Sequence, residues 1–130
     1  MLAKCQLGQL PALLLLALAS CTTLTELSSE ETDAMIRAAR EKVGRQLSSL
    51  DDSARQFISS ARPRLSYYRM AGSFVQYFIS WTLPSGRIVR VFGQDQATSL
   101  DGATVALYER DPVTRKYRVI EQHTQPGHLQ

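Results

Sequence analysis

The sequence predicts an α+β domain in which an N-terminal helical segment packs on a four- to five-stranded antiparallel meander. Apolar residues recur at steps of three and four between positions 36 and 61, which is the period of a helix with one buried face. Between positions 73 and 122 apolar and polar residues alternate, and turn-forming segments divide this region into hairpins. Elements in this order form two layers, with the helical segment on one face of the sheet.

The helical segment begins at Ser28, because Ser28 and Glu31 have the S-x-x-E spacing of a capping box. The apolar stripe that follows consists of Ile36, Ala39, Val43, Leu47, Leu50, Ala54, Phe57 or Ile58, and Ala61. The segment ends before Pro63, since proline disfavours helical geometry at the preceding residue. We expect the stripe to face the sheet.

The continuity of this segment is open. Gly44 lowers helix propensity, and Ser49 or Asp51 is able to cap a second helix. The stripe nevertheless stays in phase throughout, so we favour one long helix. The alternative is two helices joined near Leu50.

The clearest strand runs from Ser73 to Leu83. One face carries Val75, Tyr77, Ile79, Trp81 and Leu83, and the other carries Phe74, Gln76, Phe78, Ser80 and Thr82. We expect the first face to meet the helical stripe. The tetrapeptide at 83–86 has Pro at its second position and Gly at its fourth, which predicts a type I turn with a left-handed glycine, Gly86. The chain then returns antiparallel over 87–92.

The other strands follow from the same alternation. Positions 93–102 are polar and predict a loop, and 103–110 alternates again. Asp111-Pro112 opens a second turn, after which 116–122 completes the second hairpin. A strand over 65–71 raises the number from four to five.

The first twenty residues do not belong to the predicted domain. Lys4 precedes an apolar run from Ala12 to Ala19, which is shorter than the roughly 20 residues that span a bilayer. The run ends at Leu18-Ala19-Ser20-Cys21, and this end resembles the lipobox of bacterial lipoproteins. The resemblance covers residues 1–22. It implies cleavage before Cys21 by signal peptidase II and acylation of Cys21.

The resemblance also implies a location. Asp after the lipidated cysteine is the usual signal for retention in the inner membrane, and this chain has Thr22 instead. We therefore expect an outer-membrane lipoprotein whose domain faces the periplasm. Several acyl chains on one cysteine would give stable anchoring, since a single chain holds only marginally.

This reading divides the chain into four parts: a signal peptide at 1–20, the lipidated cysteine and a short linker at 21–27, the domain at 28–122, and a loose tail at 123–130. An extended linker holds the domain within about 20 Å of the lipid surface. The mature chain would keep one cysteine, so no disulfide can form within it. Loss of Lys4 lowers the formal net charge from +3 by one, which is too small to indicate nucleic-acid binding.

Catalysis finds little support in the sequence. A nucleophile needs a base held close to it, and both histidines, His123 and His128, fall in the predicted tail. The acidic pairs Glu30-Glu31 and Asp51-Asp52 are better explained by capping and by the favourable effect of acids at a helix start. Asp95 and Asp101 share a polar loop, where turn-forming roles explain them equally well. We predict no enzymatic activity, no cofactor and no bound metal.

Protein binding has more support. Arg87, Arg90, Arg115 and Arg118 alternate with apolar residues, so several of them could share the solvent face of two hairpins and meet carboxylates or lipid phosphates. For these arginines the interpretation that we favour is a solvated face that discourages edge pairing. If exposed, Phe74 and Phe78 form a patch typical of protein interfaces, but core packing against the strand at 65–71 is the interpretation that we favour.

Together these features predict a non-catalytic accessory or assembly subunit of an envelope machine, such as a secretion, conjugation, pilus or barrel-assembly apparatus. The chain would have a membrane anchor, a protein partner in the envelope and no nucleic-acid partner. The alternative is a carrier of a lipid or another apolar ligand, which would need a pocket between helix and sheet.

Overall fold

The computed structural model describes residues 27–69, 74–96 and 100–124. Within these ranges two helices precede five strands. The helices are α1 (Ser29–Gln46) and α2 (Asp52–Ser60), and the strands are β1 (Arg64–Arg69), β2 (Phe74–Thr82), β3 (Ile88–Gln96), β4 (Thr104–Arg110) and β5 (Tyr117–Thr124). The α+β arrangement predicted from the two periodicities is therefore confirmed.

Both helices begin at side-chain caps. The hydroxyl of Ser28 accepts from the Glu31 amide at 3.1 Å, and the Glu31 carboxylate accepts from the Ser28 amide at 2.9 Å, which confirms the capping box. Asp51 caps α2 by accepting from the Ala54 amide at 2.8 Å. The preference for one long helix was wrong, and the alternative of two helices joined near Leu50 is correct.

Arginines satisfy carbonyl groups at the ends of both helices. Arg55 of α2 donates to the Leu47 carbonyl at the end of α1, at 2.7 Å. Arg40 of α1 donates to the Ala61 carbonyl at the end of α2, at 2.9 Å. The indole N–H of Trp81 donates to the same Ala61 carbonyl at 3.0 Å, so β2 is joined to this junction. Each helix thus supplies hydrogen bonds that the terminus of the other lacks.

The strands form one antiparallel sheet in the order β1-β2-β3-β4-β5, a five-stranded meander. The hairpin of β2 and β3 turns as predicted. Gly86 has φ of 94°, and its amide donates to the Leu83 carbonyl at 2.8 Å. Among the described residues, two strand boundaries differ from the prediction by two residues or more. Gly93 to Gln96, assigned to a loop, continue β3, and His123 with Thr124, assigned to the tail, continue β5.

The core lies between the helices and one face of the sheet. It contains the predicted strand face and most of the predicted helical stripe, together with Met35, Leu100 and residues of β3 and β4. Trp81 is 1% exposed. Gly93 lies opposite Tyr77, and a Cβ on Gly93 would come within 3.0 Å of the Tyr77 hydroxyl oxygen, so the glycine makes room for the buried ring.

Candidate functional site

The opposite side of the sheet, which we call the open face, is covered by neither α1 nor α2. Side chains alternate along a strand, and directly paired residues share a side, so the register assigns each residue to one face. The open face carries the aromatic residues Tyr68, Phe74, Phe78, Phe92, Tyr108 and Tyr117 and the arginines Arg64, Arg90 and Arg110.

Several aromatic side chains on the open face are exposed. Tyr68 is 59% exposed, Tyr117 is 52% exposed and Phe74 is 46% exposed. Phe78 is half-buried and stacks on Phe92, with ring centroids 6.3 Å apart. Core packing was therefore the wrong interpretation for Phe74, whereas Phe78 is sheltered by an aromatic neighbour on the same open face.

Strand β1 does not bury these rings because its two tyrosines point to opposite faces. Tyr67 pairs with Tyr77 on the side of the helices, where its hydroxyl accepts a hydrogen bond from the Leu27 amide. Tyr68 pairs with Gln76 on the open face. The two tyrosines are adjacent in the sequence, so alternation along the strand sends one of them to each side of the sheet.

Two arginines of the open face lie over tyrosine rings. The guanidinium carbon of Arg90 is 5.4 Å from the centroid of Tyr108. That of Arg110 is 5.9 Å from the centroid of Tyr117. Both distances fit cation–π contacts. Aromatic surface and positive charge therefore meet at two places on the open face.

The four arginines singled out in the sequence do not share one surface. Arg87 and Arg90 are three residues apart, so the chain sends them to opposite faces. Arg87 and Arg118 both approach one oxygen of Glu109, each at 3.4 Å, on the side of the helices. Arg115 lies in the β4–β5 turn, with φ of 64°. Of the four, Arg90 alone lies in the described open face.

Glu121 of β5 joins the sheet to the segment between the helices. Its carboxylate accepts from the Ser48 amide at 3.0 Å and from the Ser49 amide at 2.9 Å, and it contacts His123 at 2.7 Å. Burial acts to raise the pKa of Glu121, but these hydrogen bonds, led by the Ser48 amide, lower the pKa to about 2. Sequence reasoning missed this contact because its partners are more than 70 residues apart.

Two further carboxylates, those of Glu31 and Asp111, accept hydrogen bonds from amides close to them in the chain. The Ser28 amide, with a smaller contribution from the Arg69 charge, lowers the pKa of Glu31. The amides of Thr114 and Val113 lower the pKa of Asp111 in the β4–β5 turn. Both carboxylates hold backbone amides in place, so neither is positioned as a general base by these contacts.

A surface cleft of about 460 Å³ lies at one end of the sheet. It is lined by the start of α2 and the β2–β3 turn, with residues such as Asp51, Ser53, Pro84 and Ser85. The Asp51 carboxylate is already engaged as a helix cap. Among the described residues no group of three or more His, Cys, Asp or Glu side chains is arranged to hold a metal ion.

Cys21, the predicted lipidation residue, lies outside the described residues, as do His128 and the segment that resembles a lipobox. Within 27–69, 74–96 and 100–124, no helix has the length and apolar character needed to cross a membrane. Comparisons with protein-family models, with curated proteins and with solved structures found no match to the chain.

Proposed function

We propose that this chain is an outer-membrane-anchored periplasmic lipoprotein that serves as a non-catalytic accessory or assembly subunit of an envelope machine. Secretion, conjugation, pilus and barrel-assembly machines are the class that we have in mind. The observation that carries the proposal is the open face, where aromatic rings remain exposed on a well-packed sheet. Clustered apolar surface of this kind is typical of protein interfaces, in which Tyr, Phe and Arg are enriched.

The anchor supports the same proposal from the sequence. Leu18-Ala19-Ser20-Cys21 supplies the lipobox, and Thr22 favours the outer membrane. The domain begins close behind, because the capping box of α1 starts at Ser28. A short tether keeps the open face within reach of envelope components, which is useful for a subunit that joins a larger assembly.

The packing of the core favours a partner subunit over a ligand carrier. A carrier needs a cavity between the helices and the sheet. At that interface Met35, Tyr77, Ile79 and Val91 are each 0% exposed and fill the space between the layers. The cleft described above opens at the end of the sheet instead of between the layers, and its lining is mixed polar and apolar.

Site-directed photocrosslinking in intact cells tests the partner. A photoreactive phenylalanine analogue replaces Tyr68 or Phe74, and the same analogue at Gln56, exposed on α2, is the matched control. We expect both open-face positions, and not the control, to give one discrete adduct with an envelope protein, identified by mass spectrometry. Absence of any adduct at both positions, with normal protein levels, contradicts the proposal.

Palmitate labelling tests the anchor independently. We expect the wild-type chain to incorporate labelled palmitate and to fractionate with the outer membrane. The Cys21→Ser variant should incorporate none, because serine cannot form the thioether. Equal labelling of the two chains, or a mature wild-type form without lipid, contradicts the localisation.

A further inference from the structure

We infer that the segment which binds the open face is acidic and apolar, and that its carboxylates bind at Arg90 and Arg110; this inference rests on the proposed function. The described strand positions on the open face include Arg64, Arg90 and Arg110 but no Asp or Glu. A complementary partner therefore supplies the negative charge.

The arginines elsewhere in the fold provide the contrast. On the side of the helices, Arg69 lies 3.5 Å from Glu31, and Arg87 and Arg118 share Glu109. Arg90 and Arg110 have tyrosine rings as neighbours, and no carboxylate of the described residues lies within ion-pair distance of either. Their charge is not neutralised by the described part of the fold.

Stacking prepares these two guanidinium groups for a ligand. A ring against one face of the group restricts its motion and leaves N–H groups at its edge, where a carboxylate binds in bidentate fashion. In Arg110 these are the terminal N–H groups, because its Nε donates to the Arg115 carbonyl at 3.4 Å. Phe92 is two residues from Arg90 on the same strand and stacks on Phe78, so apolar surface adjoins the first arginine. The second arginine adjoins exposed Tyr117.

The register gives the spacing. Arg90 pairs with Ala106, and Arg110 follows four residues later on β4. The two backbone positions are therefore about 14 Å apart, from a rise of about 3.3 Å per residue and a strand separation of about 4.8 Å. An extended segment covers this distance in about four residues. We expect acidic residues four or five positions apart, separated by apolar ones.

Other occupants fit less well. Two copies of this chain meeting through their open faces would bring like charges together. Residues 125–130 of the chain, Gln-Pro-Gly-His-Leu-Gln, contain no acid. Recognition of an anionic membrane typically uses clusters of about four to eight Lys or Arg, whereas three arginines lie on this face among the described residues.

The probe is a library of random twelve-residue peptides displayed on phage and selected on the mature lipidated protein in nanodiscs of phosphatidylcholine. We expect the selected peptides to be enriched in Asp and Glu together with aromatic or aliphatic residues. Replacing the acids of one selected peptide by amides should weaken binding about tenfold. Selection without acidic enrichment overturns the inference.

Variants of the protein localise the effect. Arg90→Gln and Arg110→Gln should each weaken the selected peptide about five- to tenfold, while Arg45→Gln, on the exposed surface of α1, leaves binding unchanged. Thermal unfolding of each variant verifies that it is folded. Unchanged peptide binding in both open-face variants overturns the inference. The inference is also overturned if no peptide is selected and the protein binds instead to phosphatidylglycerol vesicles, a probe for an anionic membrane, or to oligothymidylate, a probe for single-stranded nucleic acid.

The photocrosslink at Phe74 separates the two proposals. If the adduct forms in the otherwise wild-type chain and its yield falls in the Arg90→Gln/Arg110→Gln double variant, both proposals are supported. If it forms equally in both, the partner subunit stands and the acidic segment is wrong. If no adduct forms in wild type, the proposed function itself fails.

Discussion

The two faces of β2 differ in whether the helices cover them. On one face Val75, Tyr77, Ile79 and Trp81 are buried beneath the helices, and on the other Phe74 is 46% exposed. Both faces carry aromatic residues, so hydrophobicity alone does not separate them. The difference teaches that burial in a two-layer domain depends on which face the second layer covers, and that uncovered aromatic surface is available for binding.

Removal of the indole on the covered face should give the largest effect. Trp81 is 1% exposed and donates to the Ala61 carbonyl at the end of α2. We expect Trp81→Ala to lower the free energy of unfolding by about 3 to 5 kcal/mol, measured by chemical denaturation of the chain begun at Thr22. A variant as stable as wild type would show that the two faces are not distinguished as the structure indicates.

A methyl group added to the covered face should also destabilise. The Cβ of Gly93→Ala would lie 3.0 Å from the Tyr77 hydroxyl oxygen and 3.4 Å from the Ala103 Cα. We expect a loss of about 1 to 3 kcal/mol, typical of overpacking in a filled core. The cost should be smaller in a Tyr77→Phe background, because the nearest atom is then absent. An equal cost in both backgrounds means that the hydroxyl is not the obstacle.

The contact of Glu121 with the segment between the helices should add a pH-dependent contribution to the free energy of unfolding. Its side chain is 12% exposed, and its pKa is about 2 in the folded state. A lowered folded-state pKa means that this stability is present above about pH 4.5 and is lost as the pH falls toward 2. We expect Glu121→Gln to cost about 1 to 2 kcal/mol at pH 7 and to flatten the acid limb of the stability curve.

The matched control for this prediction is Glu41→Gln. Glu41 is 70% exposed and forms a long i,i+4 pair with Arg45. Such pairs contribute little, so the control should change stability by less than about 0.5 kcal/mol. Identical pH profiles for Glu121→Gln and wild type would show that Glu121 does not stabilise the connection between the helices through its charge.

Substitutions on the open face should have the smallest effect on folding. Tyr68→Ser removes a mostly exposed ring and should change the free energy of unfolding by less than about 0.5 kcal/mol. The ring of Phe74 is about half-buried, so Phe74→Ser should cost about 1 kcal/mol. Tyr68→Ser should lower the yield of the adduct formed from position 74, and Phe74→Ser should lower the yield of the adduct formed from position 68. A loss of stability as large as that of Trp81→Ala would mean that both faces are buried, and the open face would not be a binding surface.

Local patterns in the sequence predicted much of the fold. The Ser28–Glu31 capping box, the turn at Gly86 and the buried face of β2 depend on residues near one another in the chain, and each is as predicted. The break between the helices was harder to predict because the apolar stripe of the helical segment keeps its phase through the break. The Ser48 and Ser49 amides bind Glu121 there, which is incompatible with their bonding within a continuous helix.

The candidate site was predicted less completely. Phe74 and Arg90 were identified from the sequence, whereas Arg64 and Arg110 were not placed on the open face. The prediction that Arg118 could share the open face was wrong because the register between β4 and β5 shifts. The bulge lies in β5, opposite Leu107 and Tyr108 of β4. Such a shift changes which side chains share a face, so Arg118 pairs with Glu109 on the side of the helices.

The sequence by itself determined the helical and strand periods, the caps and the turns, because these depend on short-range geometry and hydrogen bonding. The tertiary structure decided where α1 ends, where β5 shifts register, and which aromatic face the helices leave uncovered. Those outcomes depend on contacts between residues far apart in the chain, such as Glu121 with Ser48. Local periodicity constrains the faces of each element, but the pairing of elements in space decides which faces are buried.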